Sequence, residues 1–233
     1  MDILNISYCE HININVLGDL SNLTELYFYS YEISDINFLS NLPNLTELYL
    51  GYDGNADISS LSNLSNLQKL HLPGYISGGK SNLKDISVLN NLENLTELNL
   101  FNAEISDISP LHNLTNLTKL NLSDNQISDI SALENLVNLT ELKLNNNKIS
   151  DISPLRNLTN LIKLDLSNNQ VSDISALSNL ENLTELKLNS NKIYDINSLE
   201  KLNKLTCLVL NENQISDYSP IKEYYQKLQI KDF

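Results

Sequence analysis

The sequence predicts a repeat solenoid of the α/β class, with a parallel β-sheet on a concave side and short 3₁₀ or irregular turns on a convex side. Three observations predict it. Leucines recur every 22 residues, as seen when Leu117–Asn138 is laid on Leu139–Asn160. Each period holds an L-x-L alternation, the pattern of a short strand with one buried face. The unit is also too short for a strand plus a full α-helix, so its leucines can be buried only against neighbouring units.

The elements follow in order along the chain. Registers open at Leu23, Leu45, Leu67, Leu95, Leu117, Leu139, Leu161, Leu183 and Leu205, and residues 1–22 stay in phase through Leu4, Ile6, Ile14, Leu17 and Leu20. This reads as one domain of ten repeats over 1–226, followed by a capping tail at 227–233. One step, Leu67 to Leu95, is 28 residues, which places a six-residue insertion within 73–82. Within a unit, the strand ends at an Asn (Asn125, Asn147, Asn169, Asn191, Asn213) expected to satisfy turn backbone between neighbouring repeats. Cys9 takes that place in the first repeat. The convex half reads D-I-S-P-L or D-I-S-A-L. Ser109, Ser153 and Ser219, each before Pro, read as N-caps followed by a first helical position. Asp recurs in phase from Asp35 to Asp217, and its spacing assigns it to turn hydrogen bonding rather than to a carboxylate or calcium ladder.

The pattern L-x-x-L-x-L-x-x-N-x-I-x-D-I-x-x-L is that of a leucine-rich repeat. The stretch Asn125–Leu158, NQISDISALENLVNLTELKLNNNKISDISPLRNL, resembles the consensus of the bacterial internalin family, whose repeats are also 22 residues long. The repeats of a eukaryotic protein-phosphatase regulatory subunit look similar. The internalin resemblance implies a non-catalytic scaffold that recognises protein on its concave face, often a host receptor. The phosphatase resemblance implies the alternative, an intracellular regulatory subunit that holds an enzyme. The chain shows no leader, helical N-terminal cap, immunoglobulin-like module or Leu-Pro-x-Thr-Gly anchor. The expectation is therefore a cytoplasmic protein, or a fragment of a secreted or surface protein.

Composition narrows the partners. The net charge is −14. Residues 1–116 hold three basic and fourteen acidic residues, a balance of −11, and residues 117–233 carry the remaining −3. Such acidity disfavours nucleic acid, whose phosphates need Lys and Arg, and suits a protein partner with a basic surface. No run approaches the roughly 18 apolar residues of a membrane span, and a monomer is expected.

Several motifs compete with this frame. Residues 74–81, GYISGGKS, match the phosphate-binding pattern G-x-x-x-x-G-K-[ST]. A working loop of that kind must open an α-helix whose N-terminus faces the phosphates. Here Leu83, Ile86, Leu89 and Leu92 are claimed by the repeat core, so nucleotide binding is the remote alternative. In Asp53–Asp57, DGNAD, Ile58 and Leu64 replace the Gly and Glu that a calcium loop requires. His11, His71 and His112 lie in separate repeats without ligand spacing. Cys9 and Cys207 lie nine strands apart, about 43 Å at ~4.8 Å per strand, too far for a disulfide. The Asn-Leu-Thr triplets fall in the repeat frame, which explains them better than glycosylation. Neither a cofactor nor a catalytic group is expected.

Counting from each repeat's first Leu, offsets +2, +4 and +6 face the concave side. The +2 column runs Glu25, Glu47, Lys69, Glu97, Lys119, Glu141, Lys163, Glu185, which reads as cross-strand charge pairing. The +4 and +6 columns gather Tyr27, Tyr29, Tyr49, His71 and Phe101 in neighbouring early repeats, with Tyr52 at the rim and Tyr75 opening the insertion. Later repeats put Asn, Ser, Lys and Asp there instead. Exposed aromatics clustered on a rigid face are typical of protein-binding hot spots. These seven residues are the candidate protein-binding site, with Gly51 and Pro73 as a low floor between Tyr29 and Phe101.

Overall fold

A computed structural model describes residues 2–7, 17, 19–29, 35–51, 57–74, 83 and 85–233. Among these described residues, eleven strands form one sheet in chain order. They are β1 (Ile3–Ser7), β2 (Glu25–Tyr29), β3 (Glu47–Gly51), β4 (Lys69–His71), β5 (Glu97–Asn99), β6 (Lys119–Asn121), β7 (Glu141–Lys143), β8 (Lys163–Asp165), β9 (Glu185–Lys187), β10 (Cys207–Val209) and β11 (Ile230–Asp232). Every pairing is parallel, and from β1 to β10 the register joins equal offsets of successive repeats. Short 3₁₀ segments such as Ser59–Asn63, Ser109–Leu111 and Ser153–Asn157 line the other side. The leucines between the two sides merge into one core, most of them without solvent exposure. The array is thus the leucine-rich repeat solenoid that the period predicts.

Alternation sets the faces. In β2, Leu26 and Phe28 are buried and Tyr27 between them is half-buried on the concave side. After each of the strands β5 to β10 the chain turns through a left-handed residue at offset +7: Asn102, Asp124, Asn146, Asn168, Ser190 and Glu212 have φ of 55 to 57°. Asn and Asp tolerate this region better than other side chains with a Cβ, which fits their majority in the column. Asp124 and Asn146 donate their N–H groups to the carbonyls of Asn145 and Ser167 in the next repeat.

The Asn at +8 saturates the turn. The side-chain oxygen of Asn147 accepts the Ile127 N–H at 3.0 Å, and its amide nitrogen donates to the carbonyls of Leu122 and Leu144, both at 3.0 Å. Asn125, Asn169, Asn191 and Asn213 repeat the arrangement. Asn147→Ala is expected to cost about 1–3 kcal/mol, because it orphans backbone groups that water cannot reach. Denaturant melts check this; a neutral result would mean that the column is not a hydrogen-bonded spine.

Two sequence expectations need correction or completion. Ser109, Ser153 and Ser219 are not N-caps: they are the first residues of their 3₁₀ segments, and the residue before each makes no side-chain capping bond. The capping oxygen belongs to the Asp two positions earlier. All nine such aspartates, Asp35 through Asp217, accept the N–H of residue i+2 through Oδ1 at 2.8–2.9 Å. A carboxylate reaches that N–H as an Asx turn, which satisfies the first free donor of the segment. The stretch read as a capping tail contains β11, which pairs with β10. Ahead of it, buried Tyr224 donates its hydroxyl to the Leu199 carbonyl at 2.8 Å, and Phe233 stacks on Tyr218 with ring centroids 5.4 Å apart.

The aspartate bonds also set an acid limit. The backbone N–H, and then the Ser hydroxyl, hold Asp85, Asp107, Asp151, Asp173 and Asp217 below the ordinary carboxylate range. A folded pKa below the unfolded one contributes stability that is present above the ordinary aspartate value of about 3.9 and lost as pH falls through the depressed folded values. Thermal melts from pH 7 to 2 should therefore show an aspartate limb below about pH 4, on top of an earlier loss below about 6.5 where the half-buried His71 resists protonation. Changing these five residues to Asn should flatten that acid limb. An unchanged limb would show that the aspartates do not set it.

Candidate functional site

The +4 column brings three rings together. Register places Tyr27 of β2 beside Tyr49 of β3, and Tyr49 beside His71 of β4. Strand spacing of about 4.8 Å is close to the separation of stacked rings. Tyr27 and Tyr49 stack with centroids 4.5 Å apart and planes 17° apart; Tyr49 and His71 stack at 4.1 Å and 28°. All three are half-buried, so the stack stands on the sheet with part of its surface open to the concave side.

Carboxylates flank it from the +2 column. The Tyr27 hydroxyl donates to Glu47 at 3.2 Å and to Glu25 at 3.3 Å. Partial burial and then the Glu47 and Glu25 charges push the Tyr27 phenol up to about 12. Glu47 holds Lys69 at 2.6 Å. His71 Nε2 lies 3.0 Å from Glu97, which also faces Lys119 at 3.6 Å. Burial lowers the His71 pKa against the opposing pull of Glu97, so the ring is neutral at neutral pH and its Nε2–H donates to the carboxylate. The result is a row of neutral rings edged by carboxylates.

The other candidates are placed as follows. Tyr29 ends β2 and pairs in register with Gly51, which is buried. Phe101 stands half-buried beyond β5, its N–H donated to Asn99 Oδ1 at 3.1 Å. Pro73 follows β4, and the Gly74 N–H reaches the Phe101 carbonyl at 2.6 Å. Tyr52 and Tyr75 lie outside the described residues, as do Cys9 and residues 75–81 of the GYISGGKS match. Where description resumes, Leu83 and Ile86 are buried in the core and a 3₁₀ segment, Ser87–Asn91, follows. That is the repeat's own convex half and not the α-helix a phosphate loop needs.

Glu25, Glu47 and Glu97 were not among the sequence candidates, although they touch the candidate rings. The available signal was the pair Glu25–Glu47, the one place where the Glu/Lys alternation of the column fails.

Further along, the concave face is zwitterionic. Lys143 pairs with Glu141 at 3.2 Å, and Lys187 with Glu185 at 3.0 Å and Asp165 at 3.8 Å. Cys207 is a buried free thiol there, its pKa raised first by burial. The hollows among these residues are shallow, about 230 Å³ beside His71, Glu97 and Lys119 and about 130 Å³ around Lys163 and Asp165. Drug-sized ligands occupy roughly 300–1,000 Å³ with mainly apolar walls, so these hollows suit a broad contact better. A larger recess of about 600 Å³ lies among the convex turns, but about half of its wall is polar, and the Asp129 and Asp151 oxygens there already accept backbone N–H groups. Among the described residues no cluster of His, Cys, Asp and Glu is arranged to hold a metal ion, and no helix is long and apolar enough to cross a membrane.

Comparison with known proteins agrees with this architecture. The family model described as leucine rich repeats (2 copies) matches residues 93–135, 115–157, 137–179 and 159–199. None of the curated proteins matches the chain. Among solved structures, an internalin (inlF) from Listeria monocytogenes str. 4b F2365 is 31% identical, with a TM-score of 0.74, over 100% of this chain and 87% of that one. Internalin C2 (inlC2) from the same strain is 33% identical, with a TM-score of 0.59, over 92% of this chain and 82% of that one. The plant peptide hormone receptor RGFR1, solved in complex with RGF2, shares the fold at 22% identity and a TM-score of 0.65, over 85% of this chain and 37% of that one. Leucine-rich repeat proteins are generally protein-interaction scaffolds, and the internalin-like fold is typically non-catalytic. One 22-residue frame and identity above 30% across most of two internalin structures establish that the chain belongs to the internalin-like family of leucine-rich repeat proteins.

Proposed function

We propose that the chain is a non-catalytic scaffold that binds a protein partner on the N-terminal half of its concave face. The observation that carries this reading is the Tyr27–Tyr49–His71 stack, three rings kept half-open on a rigid sheet. Phe101 extends the proposed contact, and Tyr29, Tyr52 and Tyr75 are assigned to it from their sequence positions alone. Rings already fixed by stacking lose little freedom on binding, which favours their use as anchors. The −11 balance of residues 1–116 favours a basic partner surface. The similarity to internalins supports this reading over that of a regulatory subunit holding a phosphatase. The test is partner capture followed by affinity measurement, comparing Tyr27, Tyr49 and Phe101 changed together to Ala with a matched triple at Asn121, Lys143 and Lys187. Loss in the second triple alone would move the site to the C-terminal half.

A further inference from the structure

The Glu/Lys column pairs regularly from Glu47 to Glu185, each residue in register with one of opposite charge. The pattern ends at β2. Glu25 stands in register with Glu47 on one side and with Ile3, 53% exposed, on the other. Glu47 has Lys69, and Glu97 has His71 and Lys119. Among the described residues no cation lies within ion-pair distance of Glu25, whose carboxylate receives the Tyr27 hydroxyl, itself shared with Glu47.

The ring stack ends at the same step. Tyr27 stacks on Tyr49 on one side. On the other, register brings Asn5 of β1, an exposed residue without a ring. At the end of both columns, then, Tyr27 has no ring in register on its outer side and Glu25 has no cation partner among the described residues.

We propose that this step receives an arginine side chain of the partner, its guanidinium lying over the outer face of Tyr27 as the next plane of the stack and pairing with the Glu25 carboxylate. This rests on the reading that the N-terminal concave half is the docking surface, and it names what docks. A planar cation fits both features at once: it stacks on the ring and presents paired N–H groups to a carboxylate in its own plane. A lysine ammonium, compact and strongly hydrated, satisfies the carboxylate without extending the stack. The chain uses related chemistry at its other end, where Lys231 Nζ lies 3.8 Å over the Tyr225 ring.

The test uses the whole chain and a decapeptide of alternating glycine and arginine, titrated at low salt while ring resonances are followed by NMR. Tyr27 should shift most, Tyr49 less and His71 least, with Tyr194, 67% exposed on another surface, as the reference. The citrulline peptide should shift none of them, and the lysine peptide should bind more weakly. Glu25→Gln should weaken the arginine peptide by about fivefold. Asn5→Arg, which sets a guanidinium on the strand beside Tyr27, should exclude the peptide and raise Tm. A Tyr27 shift no larger than that of Tyr194, or binding indifferent to Glu25→Gln, overturns the proposal. If the peptide fails while partner capture still depends on Tyr27 and Tyr49, the arginine assignment falls and the docking surface stands. If capture follows the later triple, both fall.

Discussion

Leu144→Ala should lower stability by about 2–5 kcal/mol, the range for a buried leucine that leaves a cavity. Leu144 has no solvent exposure. Its backbone cannot shift to fill the gap, because its N–H donates to Asp165 at 2.8 Å and its carbonyl accepts from both Asn147 and Asn169. The repeats on either side are as tightly packed, so relaxation is small and the cost should lie in the upper part of the range. Because each repeat contacts only its neighbours, the cavity also weakens the coupling between the two halves. A denaturant melt should lose midpoint and broaden. A loss below about 1 kcal/mol would show that the site collapses around the smaller side chain.

Replacing Tyr27, Tyr49 and Phe101 together with Ala should lower partner affinity by well over tenfold, since aromatic anchors each contribute at least ~2 kcal/mol and do so non-additively. The matched triple at Asn121, Lys143 and Lys187 should have a much smaller effect. Raised salt should weaken wild-type binding if the acidic half attracts a basic surface. Stability calls for a revision of what the sequence suggests. From the concave register alone, the aromatic triple should leave melting nearly unchanged. The structure shows all three half-buried, with Tyr27 and Tyr49 stacked on one another and Tyr49 on His71, and such ring contacts are worth about 0.5–1.5 kcal/mol each. A modest fall in Tm is therefore expected, so affinity must be measured well below the variant's transition. Retained affinity would show that the stack is a packing device and not a contact surface.

The solenoid was legible because one period carried every level of the argument. The same 22 residues set the strand, its inward leucines, the turn Asn and the convex Asp. What escaped was local. Ser109 looks like a cap because Ser-Pro is a helix-start signal, yet it already lies inside the 3₁₀ segment and its N–H is taken by the Asp107 carboxylate. Strand β11 escaped because Ile230–Asp232 has no L-x-L pattern, and its pairing with β10 is a tertiary event. At the candidate site, the column that unites Tyr27, Tyr49 and His71 could be read from offsets. The ring–ring distances and the shared Tyr27 hydroxyl could not, because they depend on rotamers chosen by neighbouring carboxylates.

The side-chain bonds between repeats give the molecule a direction. Asn147 reaches back to Ile127 and Leu122. Thr140 Oγ1 donates back to the Thr118 carbonyl, and Asn138 Nδ2 back to the Thr115 carbonyl. In each case the later repeat supplies the side chain and the earlier one the main-chain group. Deleting a repeat from the C-terminal end strips partners from main-chain groups packed inside a turn. Deleting one from the N-terminal end frees side chains of the next repeat, which can turn to solvent. The two ends are therefore unequal places to shorten or extend the protein: a new front edge has leucines and a strand to cover, whereas a cut at the back must also satisfy orphaned main-chain groups, as the segment with Tyr224 and β11 closes that end now.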